Sequence, residues 1–360
     1  MKLKLREWLV TVLAFIIVLY MYTLFSYFGV ENFFQNGAIK DYFDSNVWHL
    51  EVIIAGILLG ILFILINQLT EKQIFRKRSF GFNIILKSAL YLIAFVIVCG
   101  LIFHLFSSFK LVTEEQLAIL EGLLSVNFLS SALVYYASFI LLMNFILYIN
   151  KKFGPGLLID LLTGKYYHPK NEELIFLFLD LKDSTTLAEK LGHKRYSTFI
   201  KECIHELTPI IQKYSAQVYQ YVGDEVVLFW EKKEGFHQQN CLNAFFEFIA
   251  ALNKRKDYYM SKYGEVPLFK AGMDLGVVTA TEIGDIKREI AFHGDVLNTA
   301  ARLEKKCNEF NEKLIVTQHV ADQSRSNEKF KFQFLSDIPL RGKTENIKFY
   351  SVVPLLHFNE

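Results

Sequence analysis

Four runs of apolar residues, each long enough to cross a lipid bilayer, fill the first 150 residues and decide what kind of chain this is. They extend approximately from Trp8 to Phe28, Leu50 to Leu69, Ile84 to Phe106 and Leu123 to Ile149. A hydrocarbon core of about 30 Å takes about 20 apolar residues in a helix. Each run is too long for a strand and nearly free of charge, so four membrane-spanning helices are expected. The first is too long for the apolar part of a signal peptide and lacks a small-residue cleavage site. The remaining residues read as an ordinary globular domain. The balance of 52% hydrophobic to 21% charged residues is therefore spread unevenly over the 360 positions.

The segments between the runs set an orientation. Lys2, Lys4 and Arg6 precede the first run, Lys72, Arg76, Lys77 and Arg78 separate the second from the third, and Lys151 and Lys152 follow the fourth. The other two connections carry Glu31, Asp41 and Asp44, and Glu114, Glu115 and Glu121. Positive residues alternate with span number as the positive-inside rule requires, which puts the N-terminus and the globular half in the cytoplasm. His49 and His104 fall near the outer ends of the second and third spans. Such groups either serve a haem, metal or quinone between helices or face headgroups and neighbouring helices. Cys99, Cys203, Cys241 and Cys307 are scattered, with no C-x-x-C pair, and read as reduced core thiols. A formal charge of +2 without a basic stripe excludes a nucleic-acid partner.

Gly154, Pro155 and Gly156 should break the fourth helix, and a short apolar helix from about Leu157 to Leu162 follows. No linker with room for a separate sensor module precedes the next domain. The sequence thus divides into a membrane part, 1–150, a short transducing segment, 151–172, and a soluble domain, 173–360.

Leu174 to Asp180 (LIFLFLD) is a buried strand by its unbroken apolar run. Leu181, Lys182 and Asp183 follow, and a helix starts at Ser184 or Thr185 and continues, with a break at Gly192, to about Tyr214. Strand, short turn and helix N-terminus leave backbone N–H groups free for a phosphate. A carboxylate at the strand end is suited to holding magnesium on the same phosphates. On local pattern alone Asp180 is as readily a helix cap. Ala216 to Val222 and Glu225 to Trp230 form the next strands around a Gly223-Asp224 hairpin. Asp224 either serves only that turn or stands beside Asp180, where two carboxylates can hold two metals about 3.5–4 Å apart. A helix after Gly235 and a strand from Pro267 to Leu275 complete a β-α-β-β-α-β order, the ferredoxin-like arrangement of an α+β domain. Further on, a strand ends near His293 and a helix starts at Asp295. Asn298 and Arg302, four apart, share a face of that helix. Together they can bind a ribose and a pentavalent phosphorus, or they are simply solvated. Lys343, in Arg341-Gly342-Lys343, either reaches a phosphate or is a surface charge.

FLFLDLKDST, YQYVGDEVVLFW, FHGDVLNTAARLE and RGK, in that order and spacing, resemble the class III adenylate/guanylate cyclase catalytic domain over roughly residues 155–355. The likeness is to the membrane-anchored bacterial type. It implies a multi-pass plasma-membrane protein that converts ATP to 3′,5′-cyclic AMP and pyrophosphate with two magnesium or manganese ions per site. It implies Asp180 and Asp224 as metal ligands, with the Leu181 carbonyl beside them. Leu181, Lys182, Asp183, Ser184 and Thr185 then match the triphosphate-binding turn. Asn298 matches the residue that orients the ribose, Arg302 the transition-state cation and Lys343 the phosphate-binding lysine. In this family the metal ligands come from one chain and the Asn/Arg pair from another, which implies a homodimer.

Two positions depart from the family pattern. The base-selecting residues fall at Gln220 and Ala291. Adenylate cyclases of the family carry Lys with Asp or Thr there, and guanylate cyclases Glu and Cys. ATP is favoured by the family alone, although the Gln220 amide can both donate to and accept from a base edge. Other readings are a guanylate or other nucleotide cyclase, a catalytically degenerate nucleotide-binding regulator, and a membrane carrier with an accessory domain. Against the carrier stands the near-absence of charge in the spans.

Overall fold

The computed structural model describes residues 2–28, 47–70, 80–108, 126–153, 160, 163–325, 329–339 and 346–355. The chain divides into two compact units, Met1–Ile149 and Asn150–Glu360. Of the expected helix at Leu157 to Leu162 only Asp160 is among the described residues, and the loop with Lys343 lies outside them.

Helices α1 (Lys2–Phe28), α2 (Val47–Thr70), α3 (Phe80–Ser108) and α4 (Val126–Phe153) account for the four apolar runs. All four contain a stretch long and apolar enough to cross a membrane: Trp8–Ser26, Val47–Thr70, Ile85–Ser108 and Ser130–Tyr148. Leu13, Ile57, Ile93 and Leu141 are exposed, a distribution that suits lipid and would make a large sticky patch in water. Inside, Phe15 packs 5.2 Å from Phe63, and Phe95 stacks 4.5 Å from Tyr136. Gly56 and Gly60, one turn apart on α2, let α1 approach closely. A Cβ on Gly60 would lie 2.9 Å from the Cα of Val12, the small-xxx-small contact common between membrane helices. His49 Nδ1 lies 3.1 Å from the Tyr20 hydroxyl, and its ring packs 3.7 Å from that of Trp48. Its contacts are thus to helix neighbours, whereas His104 is exposed on α3.

The second unit is built on strands β1 (Lys170–Leu181), β2 (Gln217–Val222), β3 (Glu225–Glu231), β4 (Phe269–Ile283), β5 (Glu289–His293), β6 (Leu314–Thr317), β7 (Phe330–Pro339) and β8 (Asn346–Pro354). They form one sheet in the order β2-β3-β1-β4-β6-β8-β7, with β5 paired to β4 off that path. Between β1 and β2 come α5 (Ser184–Leu191) and α6 (His193–Lys213), broken at Gly192 as expected. Between β3 and β4 come α7 (Lys232–Phe236), a 3-10 turn (His237–Gln239), α8 (Asn240–Lys254) and α9 (Lys256–Tyr263). The first four strands therefore have the ferredoxin-like order. Helix α10 (Asp295–Phe310) follows β5, and α11 (Gln318–Ser324) follows β6.

The unbroken apolar run of β1 has a direct cause. Ile175, Leu177 and Leu179 pack with Phe199, Leu207 and Phe245 of α6 and α8. Leu174, Phe176 and Phe178 pack on the other face with Val296 and Ala300 of α10. A strand covered on both faces has no solvent side to mark with polar residues. β4 runs on to Ile283 instead of stopping at Leu275, because its second half pairs with both the start of β1 and β5.

Candidate active site

The site begins where two neighbouring strands end together. Leu179 of β1 pairs with Val226 of β3, so Asp180 reaches the edge of the sheet beside the β2–β3 turn. Val222 pairs with Glu225, which leaves Gly223 and Asp224 as a two-residue hairpin. Such a turn takes a left-handed first residue, and Gly223 supplies it at φ 64°. The two aspartates thus face one another. Burial raises the pKa of Asp224, and the Asp180 carboxylate raises it further, while the Ser184 hydroxyl opposes both. Glu225 is raised by burial and by the same two carboxylates. Tyr196 of α6 stands over the pair. Burial and the Asp224 carboxylate push its hydroxyl up to about 12.

Oδ2 of Asp224 is buried with no hydrogen-bond partner. A partnerless carboxylate oxygen beside a second carboxylate is a binding position for a hard divalent cation. Among the described residues, no three His, Cys, Asp or Glu side chains form a complete metal cage. An ion held here would need carbonyl, water or substrate oxygens as its remaining donors, as is common for magnesium. The donor set therefore fits such an ion.

The turn after Asp180 is tight. Asp183 adopts a left-handed conformation, φ 57° and ψ 32°, and precedes α5 without a side-chain cap. Asp is among the few residues with a side chain that tolerate this geometry. The first N–H groups of α5 consequently have no partner within the helix. Leu181 is buried, Lys182 and Ser184 are half-buried, and Asp183 and Thr185 are exposed. The Lys182 amide is already used, donating to the Leu268 carbonyl at 2.8 Å.

Asn298 and Arg302 are exposed on α10, which buries Val296, Thr299, Ala300, Leu303, Glu304 and Cys307. Arg302 precedes Glu304 by two residues, about 200° around a helix. It therefore points away from the sheet and from Asp180 of its own chain. Gln220 is exposed and Ala291 buried. Their chain neighbours Tyr219 and Phe292 meet with ring centroids 5.2 Å apart, which draws β2 and β5 into one neighbourhood.

Sequence reasoning missed Tyr196, Lys270 and Glu304. Lys270 is only 6% exposed, its Nζ lies 3.2 Å from Asp180 Oδ2, and it is ion-paired with Glu304. The available signal was a lysine set between Phe269 and Ala271 inside an apolar strand.

A sequence model described as the adenylate and guanylate cyclase catalytic domain matches residues 166–353. The chain belongs to this family. Adenylate cyclase 2 of Rhizobium meliloti (strain 1021) is 29% identical over 208 residues, 58% of this chain and 57% of that protein. Adenylate cyclase 1 of the same organism is 22% identical over 190 residues, 51% of this chain and 28% of the relative. The cyclase-family chain thus spans less than two thirds of either. A solved bacterial light-regulated adenylyl cyclase shares the fold, with a TM-score of 0.51 at 22% identity over 60% of this chain and 64% of its own.

Proposed function

We propose that this chain is a membrane-bound adenylate cyclase that converts ATP to 3′,5′-cyclic AMP and pyrophosphate at sites formed by two copies. The partnerless Asp224 oxygen beside Asp180, at the edge of a cyclase-family sheet, is the observation that carries the reading. Two magnesium or manganese ions would supply a lowered pKa for the ribose 3′-hydroxyl and a clamp on the triphosphate. Asp180, Asp224 and the Leu181 carbonyl would hold them. The free N–H groups at the start of α5 orient the phosphates. Asn298 and Arg302 reach in from the second chain: Asn298 orients the ribose, and Arg302 meets the charge growing on the α-phosphate. Lys343 steadies the leaving pyrophosphate. The ribose 3′-oxygen bonds to the α-phosphorus, the bond to pyrophosphate breaks, and the hydroxyl proton passes to solvent.

The outward face of Arg302 supports a homodimer, because it points away from Asp180 of its own chain. Four bilayer-length helices support a multi-pass membrane protein, and the alternation of basic segments supports a cytoplasmic catalytic domain. Residues 151–172 are the connection through which the membrane part acts. The names of the relatives favour ATP, while Gln220 and Ala291 leave GTP as the second substrate to test. Membranes containing the chain should form cyclic nucleotide from ATP with magnesium or manganese, and GTP, CTP and UTP serve as parallel substrates. Asp180→Ala and Asp224→Ala should each abolish product. Near-normal turnover in either variant, or no product from any triphosphate, overturns the reading.

A further inference from the structure

Lys270 lies outside the set of residues used above, yet it joins the two halves of the catalytic machinery in one chain. It stands opposite Asp180 in the β1–β4 register, so the two side chains emerge side by side from the same face. Two residues further along β4, on that face, Gly272 lies directly under α10. A Cβ there would sit 2.1 Å from the Ala300 carbonyl oxygen and 2.3 Å from the Glu304 nitrogen. The helix is therefore seated on β4 through backbone contact, and Glu304 descends from it beside Lys270. Lys270 donates to Asp180 Oδ2 at 3.2 Å and pairs with Glu304. Both Lys270 and Glu304 are buried.

A lysine in that place is not simply a surface charge. Burying an ammonium and a carboxylate costs several kcal/mol per ion before their attraction is counted, and an apolar pair of similar volume is often as stable. Stability alone gives a weak reason for the pair. Its geometry gives a stronger one: a single cation ties the last residue but one of β1 to the helix that carries Asn298 and Arg302.

Resting on the cyclase reading above, we infer that Lys270 is a positioning residue. Its ammonium group fixes the Asp180 carboxylate for the metal and, through Glu304, fixes α10 in register with β4. Because Arg302 points away from its own chain's carboxylates, the same link connects the metal half of one site with the Arg302 half of another. Lys270 touches neither substrate nor metal in this assignment. It acts through Asp180 and Glu304.

The test measures metal binding as well as turnover. Full-length protein in detergent is titrated with manganese in the presence of 3′-deoxy-ATP, which has no attacking hydroxyl, and free manganese is read by electron paramagnetic resonance. Lys270→Met should weaken manganese binding about 10- to 100-fold, the usual effect of removing a hydrogen-bond partner of a metal ligand. Lys270→Arg should restore most of it. A cation that merely repels the metal gives the opposite sign, so tighter binding in Lys270→Met overturns the proposal. The double variant Lys270→Met/Glu304→Met removes the buried ion pair whole, and its melting temperature should return towards wild type while manganese affinity stays low, because Asp180 still lacks its donor. Recovery of wild-type affinity in the double variant would show that Lys270 only neutralises Glu304, and the proposal fails. If wild-type protein binds manganese but makes no cyclic nucleotide, the cyclase reading falls instead, and the titration still reports on Lys270.

Discussion

Asp224→Asn should make the metal-free protein more stable while ending its activity. In the wild type, Asp224 Oδ2 is a buried acceptor without a donor, and the Asp180 carboxylate stands close by. A buried acceptor left unpaired costs about 1–3 kcal/mol. Asp224 is only half-buried, so the lower end applies, about 1 kcal/mol. The Asn amide removes one negative charge and can donate to Asp180. For a unit of this size 1 kcal/mol moves the melting temperature by roughly 2–4 °C. The pH dependence has a fixed sign. The folded-state pKa of Asp224 lies above its ordinary value of 3.8, so the folded state holds the proton more tightly than the unfolded chain. The cost is absent below about pH 3.8, grows as pH rises, and is complete above the folded-state pKa. Calorimetry of the detergent-solubilised chain in EDTA should therefore show Asp224→Asn melting higher at pH 7, with the advantage fading towards pH 4. Manganese with 3′-deoxy-ATP should raise the wild type and leave the variant unmoved, reversing their order. A variant that melts lower than wild type in EDTA would falsify the claim that Oδ2 of this carboxylate is held unpaired for a cation.

Two further outcomes follow from the geometry. Asp180→Ala and Arg302→Ala should each be inactive alone, but co-expressed in equal amounts they should recover about a quarter of wild-type activity per chain, because half of the random twofold dimers carry one intact site of two. Product formation in mixed membranes reads this directly, and no recovery argues against sites shared between chains. Gly272→Ala places a methyl group against the α10 backbone; overpacking of that kind costs about 1–3 kcal/mol, and the melting temperature and turnover should fall together.

How much of this was legible in the sequence depends on what each residue had to do. The strand ending in Asp180, the Gly223-Asp224 turn and the start of α10 at Asp295 could be read closely, because each sits where a change of periodicity meets a turn residue. The sequence pattern ends β4 at Leu275, because its second half, from Gly276 onward, mixes Thr and Glu with Val and loses the apolar signal once only β1 and β5 flank it. Lys270 and Glu304 were invisible for a different reason. They are distant in sequence and meet only when the β1–β4 register and the seating of α10 on Gly272 are both known. Tyr196 has the same history: nothing in its helical surroundings marks it, and only the fold brings it over Asp224.

Under the cyclase reading, the packing of α10 also accounts for a site shared between two chains. Bringing Arg302 round to Asp180 within a chain would require turning the helix by about half a revolution, since Glu304 already faces β4 about 200° away. That rotation would expose Val296, Ala300 and Leu303, now packed beneath the helix. Exposing a fully buried Val or Leu costs about 1.5–3 kcal/mol each. It would also drive the Arg302 guanidinium into the space beside Lys270, where one cation is already paired with two carboxylates. Placing a second charge there without a partner of its own is prohibitive. The same contacts that hold the helix down therefore point its Asn298 and Arg302 face outward. Under the cyclase reading, association of two chains is how Arg302 meets a metal site at all, and any signal from the membrane part that alters the approach of the two chains acts directly on the distance between Arg302 of one and Asp180 of the other.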